Sequence, residues 1–175
     1  DTIHITKDLF QFILDSKGKE RVVLITDSME AGGLEDGRYS LGGQAVIVKD
    51  GAARLESGSL AGSVLSLNKM LKNFYENTNL NINEAIHLAS LNPAKSINID
   101  KNKGSLEIGK DADIAIFDNN FDCYMTIVNG EIVVNPNEEQ RKVSDLNLLV
   151  AGTIDKIAMI EAGANEISDE LMLEA

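Results

Sequence analysis

Apolar and polar positions along the chain alternate between two periods. Leu9, Phe10, Ile13 and Leu14 recur at helical spacing, with Thr6 placed to cap the segment and Gly18 placed to end it. The run Val22–Thr26 follows at once and is almost wholly apolar. That pattern predicts a strand covered on both faces, as in a parallel α/β sheet. Ala45–Val48 and Ala52–Leu55 flank Asp50-Gly51, a strong hairpin signal, after a glycine-rich stretch holding Gly32, Gly33 and Gly37. Ser66 opens a second helix in which Leu67, Met70, Leu71 and Phe74 share a face. Asn81 and Glu84 form a capping-box pattern for a third, with Ile82, Ala85, Ile86 and Ala89 apolar and His87 on the solvated side. Asn92-Pro93 then breaks that helix and starts another turn, with proline at the first helical position. Beyond it, Asp113–Phe117 and Met125–Val134 read as strands, the latter folded at Asn129-Gly130. Asp145–Gly152 and Lys156–Ala162 predict a further strand pair, and Ser168 a cap for a short acidic helix.

Composition narrows the class. A chain of 175 residues with 43% hydrophobic and 25% charged content is globular in type, and no apolar run reaches the length that spans a bilayer. The net charge of −12 excludes a general nucleic-acid surface, which needs clustered Lys and Arg. Residues 137–175 carry nine acidic and three basic groups, a net of −6, and this step marks a boundary near 136. The single cysteine, Cys123, excludes an internal disulfide framework and fits a reducing cytoplasm; by itself it reads as a small half-buried strand residue. A start at Asp1, with no signal at either end, is expected of a fragment of a longer reading frame.

Few residues carry chemistry. Asp27 stands where the apolar run ends, the position at which parallel α/β sheets present reactive side chains; it also suits a turn-forming cap. With two distant histidines and one cysteine, the chain has no complete His/Cys metal site. Gly58-Ser-Leu-Ala-Gly62-Ser63 lacks the lysine of a phosphate-binding loop of the Walker type. The candidates are therefore Asp27, His4 and the Gly62-Ser63 loop.

Five runs give a resemblance. They are Asp-Thr-Ile-His-Ile (1–5), Leu-Ile-Thr-Asp-Ser-Met (24–29), Gly-Ser-Leu-Ala-Gly-Ser (58–63), Ala-Ser-Leu-Asn-Pro-Ala (89–94) and Lys-Gly-Ser-Leu-Glu-Ile-Gly-Lys-Asp-Ala-Asp (103–113). Over residues 1–134 the chain resembles the carboxy-terminal part of the N-acetylglucosamine-6-phosphate deacetylase family of the amidohydrolase superfamily. The resemblance implies an α/β fold. Residues 1–41 and 61–103 would belong to a partial (β/α)8 barrel, with 22–27 its eighth strand, and 42–60 with 104–134 would give strands of a small β-domain. It further implies metal-dependent hydrolysis of an acetamide on a phosphorylated amino sugar, in a cytoplasmic enzyme that is a homodimer in its full-length parent. By this resemblance Asp27 is the catalytic proton carrier, while His4, Leu60, Ala61 and Gly62 contact substrate. The divalent metal, zinc or similar, would be held by a Glu and two His that lie upstream in the family and are absent here. Thr2 departs from the family's usual Gly beside the histidine.

Residues 135–175 resemble another family. Val-Ala-Gly-Thr (150–153) and Glu-Ala-Gly-Ala-Asn-Glu (161–166) are similar to the first, ribonuclease-PH-like core domain of polynucleotide phosphorylase, giving a β-hairpin–helix tail. Asn129–Pro136 suits either parent, so a crossover in this shared stretch is the expected cause of the join. Two other readings stand beside the deacetylase: a piece of an RNA-phosphorolytic enzyme, favoured by the tail, and a non-catalytic module with exposed strand edges.

Overall fold

The computed structural model describes residues 1–134, 147–151 and 160–161. The chain divides into two compact units, Asp1–Asn79 and Leu80–Ala175.

In the first unit, a single 3-10 turn at Lys7–Leu9 runs into α1 (Phe10–Lys17). Thr6 caps through its backbone: its carbonyl accepts the Leu9 N–H at 3.0 Å, and its hydroxyl makes no capping bond. Gly18 ends α1 at φ 77°, a value that strains a residue with a Cβ, and its N–H reaches the Leu14 carbonyl. Helix α2 (Leu67–Glu76) buries Met70, Leu71 and Phe74 of the expected face, while Leu67 at its first position is exposed and the Ser66 hydroxyl makes no cap. Phe10 of α1 stacks on Phe74 of α2 with ring centroids 4.8 Å apart, a contact worth about 1 kcal/mol beyond burial.

A three-stranded antiparallel sheet, β1 (Gly37–Leu41), β2 (Gln44–Lys49) and β3 (Ala52–Leu55), follows in that order. Both of its turns have two central residues at positive φ: Gly42-Gly43 at 58° and 81°, and Asp50-Gly51 at 51° and 74°. Such turns match the twist of the flanking strands. Strand β1 begins inside the stretch read from sequence as glycine-rich connection; the Gly-Gly pair was the hairpin signal there. Val46 and Val48 of β2 turn inward and pack with Met29, Ala31 and Ala53, while Ile47 between them is exposed.

The apolar run 22–27 departs from expectation. It is extended, with Val22 and Leu24 buried, but Ile25 is 67% exposed and no described strand ladders along it. A parallel strand takes its neighbours from distant sequence, and none of the described strands supplies them. Just past its end a parallel bridge joins Ser28 with Ser63.

In the second unit, α3 (Ile82–Ala89) starts at a complete capping box: Asn81 Oδ1 accepts the Glu84 N–H and Glu84 Oε2 accepts the Asn81 N–H, each at 3.0 Å. Ala85, Ile86 and Leu88 are its buried residues, and His87, expected on the solvated side, is half-buried between two of them. Helix α4 (Leu91–Ser96) has Pro93 as its third residue, not its first; the N–H that proline lacks still falls in the turn where none is needed. Gly104, at φ 86°, lies so close to α4 that a Cβ there would be 2.7 Å from Ala94 Cβ.

Strands β4 (Ile114–Phe117), β5 (Cys123–Val128), β6 (Glu131–Val134), β7 (Asn147–Ala151) and β8 (Ile160–Glu161) form an antiparallel sheet in the order β6-β5-β4-β7-β8. Asn129-Gly130 turns between β5 and β6 at φ 50° and 81°, as its sequence predicts. The expected tail strand pair is present as β7 and β8, and the helix expected after Ser168 lies outside the described residues. Cys123 is exposed instead of half-buried, because it opens β5 at an irregularity in the pairing with β4. Among the described residues no helix is long and apolar enough to cross a membrane.

The Lys-Gly-Ser-Leu-Glu-Ile-Gly-Lys-Asp-Ala-Asp run is a clasp. Lys103 Nζ sits 2.9 Å from Asp111 and also pairs with Asp113, while Lys110 bonds Ser105 and Glu107. Asp113 Oδ1 accepts the Asn129 N–H at 2.9 Å, and Ala112 O accepts the Gly130 N–H, which fixes the β5–β6 turn. The ammonium and the Asn129 N–H together hold the Asp113 carboxyl below its ordinary value.

Candidate active site

Three segments far apart in sequence meet in the first unit. The end of the apolar run is tied to the loop before α2 by two backbone bonds: Ser63 N–H donates to Asp27 O at 3.1 Å, and Met29 N–H donates to Ser63 O at 2.9 Å. Asp27 adopts φ 48°, unusual for a residue with a Cβ, so the chain turns sharply where its carboxylate is presented. Gly62 keeps the two segments close. A Cβ there would come 3.2 Å from Met29 Cβ and 3.4 Å from Asp27 O.

His4 completes the arrangement. Its Nε2 lies 2.9 Å from the Ala61 carbonyl oxygen, 57 residues away in sequence, and its Nδ1 lies 2.7 Å from Asp1 Oδ2. Around these groups is a cleft of about 270 Å³ in which His4, Asp27 and Ser63 share the wall with Asp1, Phe10 and Phe74. Its lining is mostly aliphatic and aromatic with a few polar groups, the usual make-up of a small-molecule site.

The residues picked out by sequence are thus together. His4 and Asp27 line one cleft, and the Leu60–Gly62 loop is fastened to both, to His4 through Ala61 and to Asp27 through Ser63. Composition and motif give no pointer to Asp1. Its signal was a carboxylate three residues before a histidine in a turn, and only the folded ring orientation turns that spacing into a contact. Among the described residues, no three His, Cys, Asp or Glu side chains converge as a metal site.

Residues 13–133 match the Amidohydrolase family, and residues 123–175 match the 3' exoribonuclease family, domain 2. The two matches overlap at 123–133, the β5–β6 hairpin, in and beside the stretch that the sequence marks as suiting either parent. The chain is 42% identical over 117 residues to N-acetylglucosamine-6-phosphate deacetylase of Bacillus subtilis (strain 168), covering 67% of this chain and 30% of that protein. It is 43% identical over 114 residues to a putative N-acetylgalactosamine-6-phosphate deacetylase of Escherichia coli (strain K12), covering 65% of this chain and 68% of the relative. The crystal structure of N-acetylglucosamine-6-phosphate deacetylase from Thermotoga maritima superposes with a TM-score of 0.72 at 36% identity, over 77% of this chain and 37% of that one. The chain spans about 30% of the length of the Bacillus relative. With more than half of its residues matched, this chain belongs to the amidohydrolase family.

Proposed function

We propose that residues 1–134 are the carboxy-terminal part of a deacetylase that hydrolyses the acetamide of N-acetylglucosamine-6-phosphate to glucosamine-6-phosphate and acetate. The observation that carries this reading is that Asp27 and His4 line one cleft, with the 60–62 loop held beside it by the contact of His4 with the Ala61 carbonyl. In this reading water adds to the acetamide carbonyl carbon and its proton passes to the Asp27 carboxylate. The C–N bond then breaks and the same proton goes to the departing amine. A carboxylate presented at a chain reversal, beside an apolar wall, suits such a shuttle. His4 and the loop would hold the phosphorylated sugar, partly through backbone groups near the α2 amino terminus.

The amidohydrolase family generally depends on a metal. The described residues of this chain do not fit one by themselves, since no three ligating side chains converge. By the family resemblance a Glu and two His from the part preceding the matched segment would hold it, and no step above is routed through the ion. The reading also carries the interleaved organisation: 1–41 and 61–103 as barrel, 42–60 and 104–134 as small β-domain. It is supported by the β2–β3 hairpin of 42–60, the strands of 104–134 and the helices of the former segments, while β1 (Gly37–Leu41), paired with β2, carries the small sheet into the first of them. A cytoplasmic homodimer is the expected context of the full-length parent. For 135–175 the exoribonuclease-family match favours a fragment of a ribonuclease-PH-like domain; the acidic charge of that tail argues against an RNA surface of its own.

The test joins residues 1–134 to the upstream part of the Bacillus relative. The joined enzyme should hydrolyse N-acetylglucosamine-6-phosphate, and Asp27→Asn should lower kcat by roughly 10²–10⁴ with KM little changed. Undiminished turnover in the variant would refute the assignment.

A further inference from the structure

We propose that Asp1 is a positioning residue for His4: its carboxylate sets which ring nitrogens carry protons and fixes the imidazole over the 60–62 loop. The proposal rests on the substrate-contacting role given to His4 above. The carboxylate has two separate duties. Oδ1 accepts the backbone N–H groups of Ile3 at 3.2 Å and His4 at 2.9 Å, which closes the turn Asp1-Thr-Ile-His4. Oδ2 faces the ring nitrogen Nδ1 at 2.7 Å. The Asp1 side chain is only 11% exposed, against 39% for His4, so the acceptor is shielded and the ring stands toward the cleft.

An ionised carboxylate can only accept, so Nδ1 must carry a proton. On the other side of the ring, Nε2 faces a carbonyl oxygen, Ala61 O at 2.9 Å, which also only accepts. Both contacts are satisfied together when both nitrogens carry protons. The Nε2–H is then held by the loop, and a phosphorylated ligand that takes this N–H must displace the Ala61 carbonyl. The aspartate therefore governs His4 through orientation and protonation, without touching the ligand.

Asp1→Asn tests this sharply. The two backbone N–H groups retain the amide oxygen as acceptor, so the NH2 group is presented to Nδ1. A donor there demands a bare Nδ1 and leaves Nε2 as the protonated nitrogen donating to Ala61 O. Long-range 1H–15N correlation spectra of the full 175-residue chain at neutral pH read both nitrogens directly. Only two histidines are present, so His87→Gln assigns the signals. In the parent chain Nδ1 should be protonated; in Asp1→Asn the protonated Nδ1 population should fall at least tenfold while Nε2 keeps its proton. A bare Nδ1 in the parent, or an unchanged Nδ1 in the variant, overturns the proposal. Backbone amide signals of Ser28 and Ser63 in the same samples report whether the unit is folded. If Asp1→Asn loses them, the parent spectrum decides alone. No turnover enters this experiment, so failure of the joined enzyme to deacetylate would strike the functional reading and not this one.

Discussion

Gly104→Ala should destabilise the second unit far more than Gly109→Ala, though both glycines lie in one loop with nearly the same backbone angle. Gly104 has φ 86° and Gly109 has φ 90°, so each variant places a Cβ in the left-handed region at roughly 1–2 kcal/mol. Nothing lies within 4 Å of a Cβ at Gly109. At Gly104 it would meet Ala94 Cβ at 2.7 Å, Ser90 O at 3.0 Å and Leu91 Cα at 3.1 Å. Carbon atoms prefer about 3.5–4.0 Å, so α4 must retreat by roughly 1 Å or the loop must lift. Two of the three atoms are backbone and cannot rotate aside. Overpacking of this kind costs about 1–3 kcal/mol, so the expected gap between variants is about 2 kcal/mol, or roughly 30-fold in the unfolding equilibrium. Urea unfolding gives the overall values. Hydrogen exchange at the Ile99 amide, which donates to Ala94 O at 2.9 Å, reports the contact locally. Equal losses in the two variants would show that the α4 contact is not made and that backbone angle alone explains the glycine.

Three further outcomes are expected. Asp113 has its carboxyl held below the ordinary value of 3.8, so its contribution is fully present above that value and is lost as pH falls through the lowered one. Urea midpoints of the parent chain should therefore exceed those of Asp113→Asn at neutral pH, and the difference should shrink below about pH 4; a constant difference down to pH 2 would contradict the clasp. The 175-residue chain supplied with zinc and N-acetylglucosamine-6-phosphate should give no measurable acetate release, and appreciable turnover would refute the assignment of the metal ligands to upstream sequence. Trypsin should release Asp111–Arg141 as one peptide, since no Lys or Arg lies between Lys110 and Arg141; its detection in the source proteome would overturn a misjoined assembly as the origin of the join.

The local elements were set by the residues themselves. Asn81 with Glu84, Asp50-Gly51 and Asn129-Gly130 each fix a few neighbouring dihedrals through bonds or angles available only to those side chains, and the cap and both turns formed where expected. The Gly42-Gly43 hairpin carried an equally local signal. Helix faces followed for the same reason, since burial of Met70, Leu71 and Phe74 depends on a period that the chain carries within itself. The candidate residues Asp27, His4 and Leu60–Gly62 were legible from their order and spacing in the resemblance. What required the tertiary structure was every relation across long sequence distance. The bonds from His4 to Ala61 and from Ser63 to Asp27 join groups whose separation along the chain says nothing of their approach. The pattern of Val22–Thr26 spoke for a covered strand, yet a strand is a property of its neighbours, and the described residues provide none along its length. Asp1 shows the same division: the turn is local, but the carbonyl that meets the other nitrogen of the His4 ring comes from 57 residues away.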